Sequence, residues 1–234
     1  MKNFIILLIA SLSFASCNMM SGNGNVRSEQ RNVTDFHSVK SSGSIDIKIK
    51  EGNNYSVTVE DDDNILPYII TEVNGGVLSV RYKDNTSISN DHSKVYITAP
   101  ELDQVSVSGS GDITTDGILK SSGQLEFNTS GSGDIKATVN APSIKVTGSG
   151  SGDIDLSGNT KDFDCNLSGS GDVNCSKLQS ENTNVHVAGS SDVHVFASVS
   201  LKVNVAGSGD VYYSGNPTSP EIHIAGSGTV QAQK

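Results

Sequence analysis

One unit written seven times constrains this chain more than any other feature. Its core is apolar-x-apolar-x-Gly-Ser-Gly-Asp-Ile/Val, and the copies centre on Ser108–Ile113, Ser130–Ile135, Ser149–Ile154, Ser168–Val173, Ala188–Val193, Ala206–Val211 and Ala225–Val230. Successive copies are offset by 22, 19, 19, 20, 18 and 19 residues. A near-constant period of this size marks a repeat architecture in which each copy is one supersecondary unit.

Side-chain alternation around the corner defines that unit. Before it, Val105 and Val107, Cys165 and Leu167, Val185 and Val187, Val203 and Val205, and Ile222 and Ile224 share one parity; after it, so do Ile135 and Ala137, Ile154 and Leu156, Val173 and Cys175, Val193 and Val195, and Val211 and Tyr213. Between the first set lie Ser106, Asn128, Thr147, Asn166, His186, Asn204 and His223. Period-two alternation on both sides of a bend predicts two short strands per unit, apolar side chains inward and polar ones outward. Such a unit cannot bury its apolar face alone, but parallel stacking in register gives a continuous core. A turn of about 19 residues exceeds the 18-residue rung of left-handed hexapeptide helices. The expected fold is therefore an all-β, right-handed parallel β-helix, with seven rungs at roughly 4.8 Å making a rod about 34 Å long. A β-sandwich also uses short, evenly spaced strands, but it would not require Gly-Ser-Gly-Asp at every corner. Gly109, Gly131, Gly150, Gly169, Gly189, Gly207 and Gly226 fill one slot without exception. That invariance predicts a positive-φ conformation that only glycine adopts cheaply. The second glycine is Ser191 in one copy, so its slot is expected to tolerate an L-residue.

Residues 1–17 read as a secretion signal: Lys2, then the apolar Phe4–Phe14, too short to span a bilayer, then Ala15-Ser16. Phe14-Ala15-Ser16-Cys17 resembles a bacterial lipobox, which implies lipidation of Cys17 and attachment to a membrane without a spanning helix. Asn18 after it suits an outer-membrane lipoprotein, with the periplasmic face or the cell surface left open. Residues 18–32 read as a flexible polar tether. Residues 33–104 lack the repeat but keep strand alternation, as in Ile45-Asp-Ile47-Lys-Ile49 and Tyr55-Ser-Val57-Thr-Val59, and are expected to supply irregular first rungs or a cap. Residues 105–234 form the repeat β-helix.

A net charge of −10 and a pI near 4.8 argue against nucleic acid, whose phosphates demand clustered Lys and Arg. Stacking would bring Asp112, Asp134, Asp153, Asp172, Asp192 and Asp210 into a file about 4.8 Å apart. Two readings stay open: carboxylates accepting hydrogen bonds from corner amides and serines, or Ca²⁺ bridging adjacent rungs. No other cofactor is indicated. Cys165 and Cys175 fall inward on opposite sides of one corner, so a disulfide and two buried thiols both fit. His186, His194 and His223 read as solvated surface residues. The outer row after the corner runs Thr114, Lys136, Asp155, Asn174, His194, Tyr212, Gln231. Lys136 and Asp155 are read there as a surface ion pair, and Tyr212 as a lone aromatic.

These features together resemble the bacterial envelope family known as the autotransporter adhesin head GIN domain. The matching elements are Phe36-x-x-Val39, Ser42-Gly-Ser-Ile-Asp46, Ile97-Thr-Ala-Pro-Glu-Leu102 and the serial Ser-Gly-Ser-Gly-Asp units, covering roughly Val33 to Val230. The resemblance implies a β-helical fold, commonly with a lipoprotein signal, and no catalytic residues to carry over. Only four residues follow Val230, too few for a translocating barrel, so autotransport itself is not expected. The expected function is non-catalytic: an adhesin or binding module presenting a polar β-helix face to a protein or polymer. An envelope scaffold or signalling role, and an enzyme acting on polysaccharide, are the alternatives.

Overall fold

The alternation around each corner resolves into two parallel walls of a solenoid in a computed structural model, which describes residues 19–89 and 92–233. Apart from one 3-10 turn at Leu66–Tyr68, the regular elements are strands. Pairing follows the sequence period: Val105 lies beside Phe127, Phe127 beside Val146, Val146 beside Cys165, Cys165 beside Val185, Val185 beside Val203 and Val203 beside Ile222, all in parallel register. Equivalent positions of successive copies are thus neighbours along the stack, which is a parallel β-helix and not a sandwich. Inside, Phe127, Val146, Cys165 and Val185 are fully buried. Burying a side chain of this size contributes roughly 1.5–3 kcal/mol.

The amino-terminal third builds rungs and a cap out of sequence order. Ser38–Gly43 and Asp46–Glu51 form a coil directly beneath Gln104–Gly109 and Ile113–Lys120. Beneath that coil lies another, made of Val77–Tyr82 and Lys94–Ala99. Antiparallel strands then close the end: Ser56–Asp62 pairs with Lys94–Ala99, Val26–Arg31 with Ser56–Asp62, and Ile69–Asn74 with Val77–Tyr82. Reversing strand direction stops further parallel addition, which is how a solenoid protects an open end.

The expectation of a flexible tether over residues 18–32 is corrected within the described residues. Met19–Ser21 pairs with Ser87–Ser89, and Val26–Arg31 is an edge strand of the cap. Asn23 Nδ2 and Asn25 Nδ2 each donate to Asp63 at 2.6 Å, and Arg27 Nε lies 3.6 Å from it. The Asn23 hydrogen bond, then Asn25 and the charge of Arg27, hold the Asp63 carboxyl below the usual carboxylate range. Polar composition hid this strand because an edge strand needs backbone partners more than an apolar face. Cys17 and the leader lie outside the described residues.

The corner glycines line up as expected, for a different reason. Of the seven, only Gly207 and Gly226 have positive φ. The shared requirement is close approach: a Cβ on Gly109 would meet Gly43 O at 1.9 Å, and one on Gly150 would meet Gly131 O at 2.0 Å. Each such carbonyl points along the stack, where Gly109 O accepts from Ser132 and Gly133 N–H, both at 2.9 Å. The second glycine column is also tight, with 2.2 Å from a Gly133 Cβ to Gly111 O. Ser191 nevertheless sits buried in that column, its Oγ donating to Gly169 O at 3.2 Å.

Cys165 and Cys175 are free, buried thiols flanking the Gly169 corner, not a disulfide. Burial pushes both well above the usual thiol range, reinforced at Cys165 by Asp164 and at Cys175 by Cys165. Negligible thiolate and no access leave them inert while folded. The native protein is therefore expected to resist alkylation at pH 8. Unfolding in guanidinium without reductant should expose both, with one count lost in each of Cys165→Ala and Cys175→Ala; neither thiol in the unfolded parent, and a gain of one count in each variant, would mean a bridge.

Candidate functional site

The Asp file is built by the backbone. Asp134 N–H donates to Asp112 Oδ1 at 2.9 Å, Asp153 N–H to Asp134 Oδ1 at 2.8 Å, and Asp172 N–H to Asp153 Oδ1 at 2.8 Å. Asp192 and Asp210 continue the series at 2.9 and 3.1 Å. In the other direction, each Asp carbonyl accepts from the preceding coil, as in Ile113 N–H to Asp134 O at 2.8 Å. One residue type thereby ties neighbouring coils twice.

Magnitudes decide whether the file is tolerable. Neighbouring carboxylates repel by about 1 kcal/mol at the dielectric constant of water, while a hydrogen bond to a charged group contributes about 1.5–3 kcal/mol. The ladder is favourable on balance. Corner serines play little part in it: Ser108, Ser149 and Ser168 Oγ donate to backbone carbonyls. The ladder also has definite ends. Asp46 Oδ1 accepts from Asp112 N–H at 3.1 Å, and Thr229, in the Asp slot of the last copy, gives both its N–H (2.7 Å) and its hydroxyl (2.9 Å) to Asp210 Oδ1. Among the described residues, no group of three or more His, Cys, Asp or Glu is arranged to hold a metal ion. A single file gives each carboxylate only two acidic neighbours, whereas Ca²⁺ takes six to eight oxygens.

Beside the ladder runs a second row on the same outer wall. Register places Tyr96 next to Lys48, then Thr114, Lys136, Asp155, Asn174, His194, Tyr212 and Gln231 in unbroken succession. Lys136 Nζ and Asp155 Oδ2 form an exposed ion pair at 3.3 Å, which contributes little to stability. The His194 and Tyr212 rings stack, with centroids 4.7 Å apart and planes 15° from parallel. His186 and His223 lie exposed on the other wall, separated by Asn204, and His223 Nε2 is 3.2 Å from Glu221.

Sequence reasoning missed Asp46 as the first rung of the ladder, and Lys48 and Tyr96 as the start of the row. Ser42-Gly-Ser-Ile-Asp46 is a degenerate copy of the corner, so the signal was present. Its offset of 66 residues from Asp112 concealed the adjacency, because the cap is inserted between them. The expected lone Tyr212 thus shares its row with Tyr96.

The family model described as "Putative auto-transporter adhesin, head GIN domain" matches residues 35–217. Among solved structures, a "putative adhesin" from Bacteroides fragilis is similar with TM-score 0.88 and 21% identity, covering 92% of this chain and 100% of its own. A "putative lipid binding protein" from Parabacteroides distasonis gives TM-score 0.73 and 25% identity over 92% of this chain and 100% of its own. A "putative adhesin" from Parabacteroides merdae gives 0.74 and 22%, over 92% and 99%. No curated protein matches.

Proposed function

This chain belongs to the family described as "Putative auto-transporter adhesin, head GIN domain", and from that premise we propose that it is a non-catalytic envelope lipoprotein. Cys17 anchors it, and its outer wall faces a polymer or protein ligand at the cell surface. The observation that carries this reading is the wall itself. Polar side chains recur once per coil from Tyr96 to Gln231, and the adjacent carboxylates are committed to backbone hydrogen bonds. Such a surface suits repeated contacts with an extended partner. The interior is filled by stacked Ile, Val, Leu and Phe side chains, so a lipid ligand would have to lie outside the solenoid.

The lipobox-like Phe14–Cys17 supports the anchor. Only Asn18 separates Cys17 from the strand beginning at Met19, a reach of at most about 7 Å, so the cap side is held against the membrane. Protease shaving of intact cells should degrade the chain, and Cys17→Ser should shift it from the membrane to the soluble fraction. A chain protected in intact cells, or an unshifted Cys17→Ser variant, would overturn the reading.

A further inference from the structure

The geometry points to a binding site for a neutral hexopyranose unit in the groove where the outer wall meets the cap, with Tyr96 as its platform. This deepens the adhesin reading and rests on it, by naming a ligand class for one end of the wall. The groove encloses about 370 Å³ between Lys94 and Tyr96 on one strand, Asp46 and Lys48 on the next, Thr114 on the third and Asp112 in the corner just before it. All six are exposed, five on regular parallel strands and Asp112 tied to Asp46 through its N–H, so the site is preformed and costs little ordering on binding.

Three features select a sugar. Tyr96 is 39% exposed, and its hydroxyl donates to Glu60 Oε1 at 3.3 Å, which fixes the ring as an amphipathic face. Lys94 has no ion pair among the described residues, and Lys48 reaches only Asp116, at 3.9 Å, so two ammonium groups remain available as donors. Asp46, an exposed residue, uses Oδ1 for the Asp112 N–H, which leaves Oδ2 as a further acceptor. An aromatic face beside interleaved donors and acceptors matches a ring with apolar C–H faces and hydroxyl edges. Charge then selects among sugars. Lys48 and Lys94 are balanced by Asp46 and Asp112 in the lining, and Glu60 and Asp116 stand next to it. An acidic sugar would meet net repulsion, so the ligand is neutral.

The test is an array of neutral and acidic oligosaccharides probed with the detergent-solubilised full chain, followed by calorimetric titration of the best neutral binder. Tyr96→Ala should weaken binding by about tenfold or more, the scale of one lost aromatic contact, Tyr96→Phe by less, and His186→Ala, exposed on the other wall, should leave it near the parent. Circular dichroism of each variant separates loss of binding from loss of fold. If only acidic glycans bind, if none binds, or if folded Tyr96→Ala binds as tightly as the parent, the inference is overturned. A blank array with a chain that shaving removes from intact cells would sink this site and leave surface display standing. Neutral-glycan binding lost in Tyr96→Ala by a chain protected in intact cells would do the reverse.

Discussion

Gly150→Ala should lower the thermal midpoint by roughly 6–12 °C, the shift expected for a destabilisation near 3 kcal/mol in a domain of this size. The added Cβ would stand 2.0 Å from Gly131 O and 2.9 Å from Gly131 C and N. These are backbone atoms with no rotamer to yield. Relief requires the coils to part, and Gly131 O is also the acceptor for Ser151 N–H at 2.9 Å and Gly152 N–H at 3.2 Å. The methyl group therefore acts against backbone hydrogen bonds as well as against packing. Because stacked coils interact only with neighbours, the damage should be local at first. Amide exchange should rise most across the coils joined at Gly131 and Gly150. Gly123→Ala is the control: nothing lies within 4 Å of its added Cβ, and it should change stability by less than about 0.5 kcal/mol. Equal midpoints for the two variants would show that close approach does not explain the glycine column.

That column shows how far the sequence could be read. Recurrence at one slot announced a steric rule, and period-two alternation announced inward and outward faces, because both are properties of a single coil repeated. What stayed hidden depends on contacts between segments remote in sequence. The cap could not be ordered from its strands, since Ser38–Gly43 lies between Val77–Tyr82 and Gln104–Gly109 and no local pattern encodes that insertion. The polar edge strand Val26–Arg31 is held by backbone pairing, a property nearly blind to side-chain type. In the candidate site, the file of carboxylates and the row from Thr114 to Gln231 were legible from the period alone. Lys48 and Tyr96 joined that row only once the coil beneath was known.

Phe127→Ala and Ile222→Ala substitute the same slot of different coils, and their effects should differ several-fold. Phe127 is fully buried between Val105 and Val146. Removing its ring leaves a cavity bounded by strands whose spacing is fixed by hydrogen bonds above and below, so collapse is restricted. A loss of about 3–5 kcal/mol is expected. Ile222 was expected to face inward, and by register it does, beside Val203. It is nevertheless 38% exposed, and Ile224 is 46% exposed, because no further coil covers them among the described residues. Its truncation forfeits only part of a transfer free energy and creates no enclosed void, so a cost under about 1.5 kcal/mol is expected. Chemical denaturation of both variants, scored by midpoint at unchanged slope, measures the contrast. Comparable losses would mean that Ile222 is covered in solution, and the carboxy-terminal coil would then have to be treated as an interface and not as a free end.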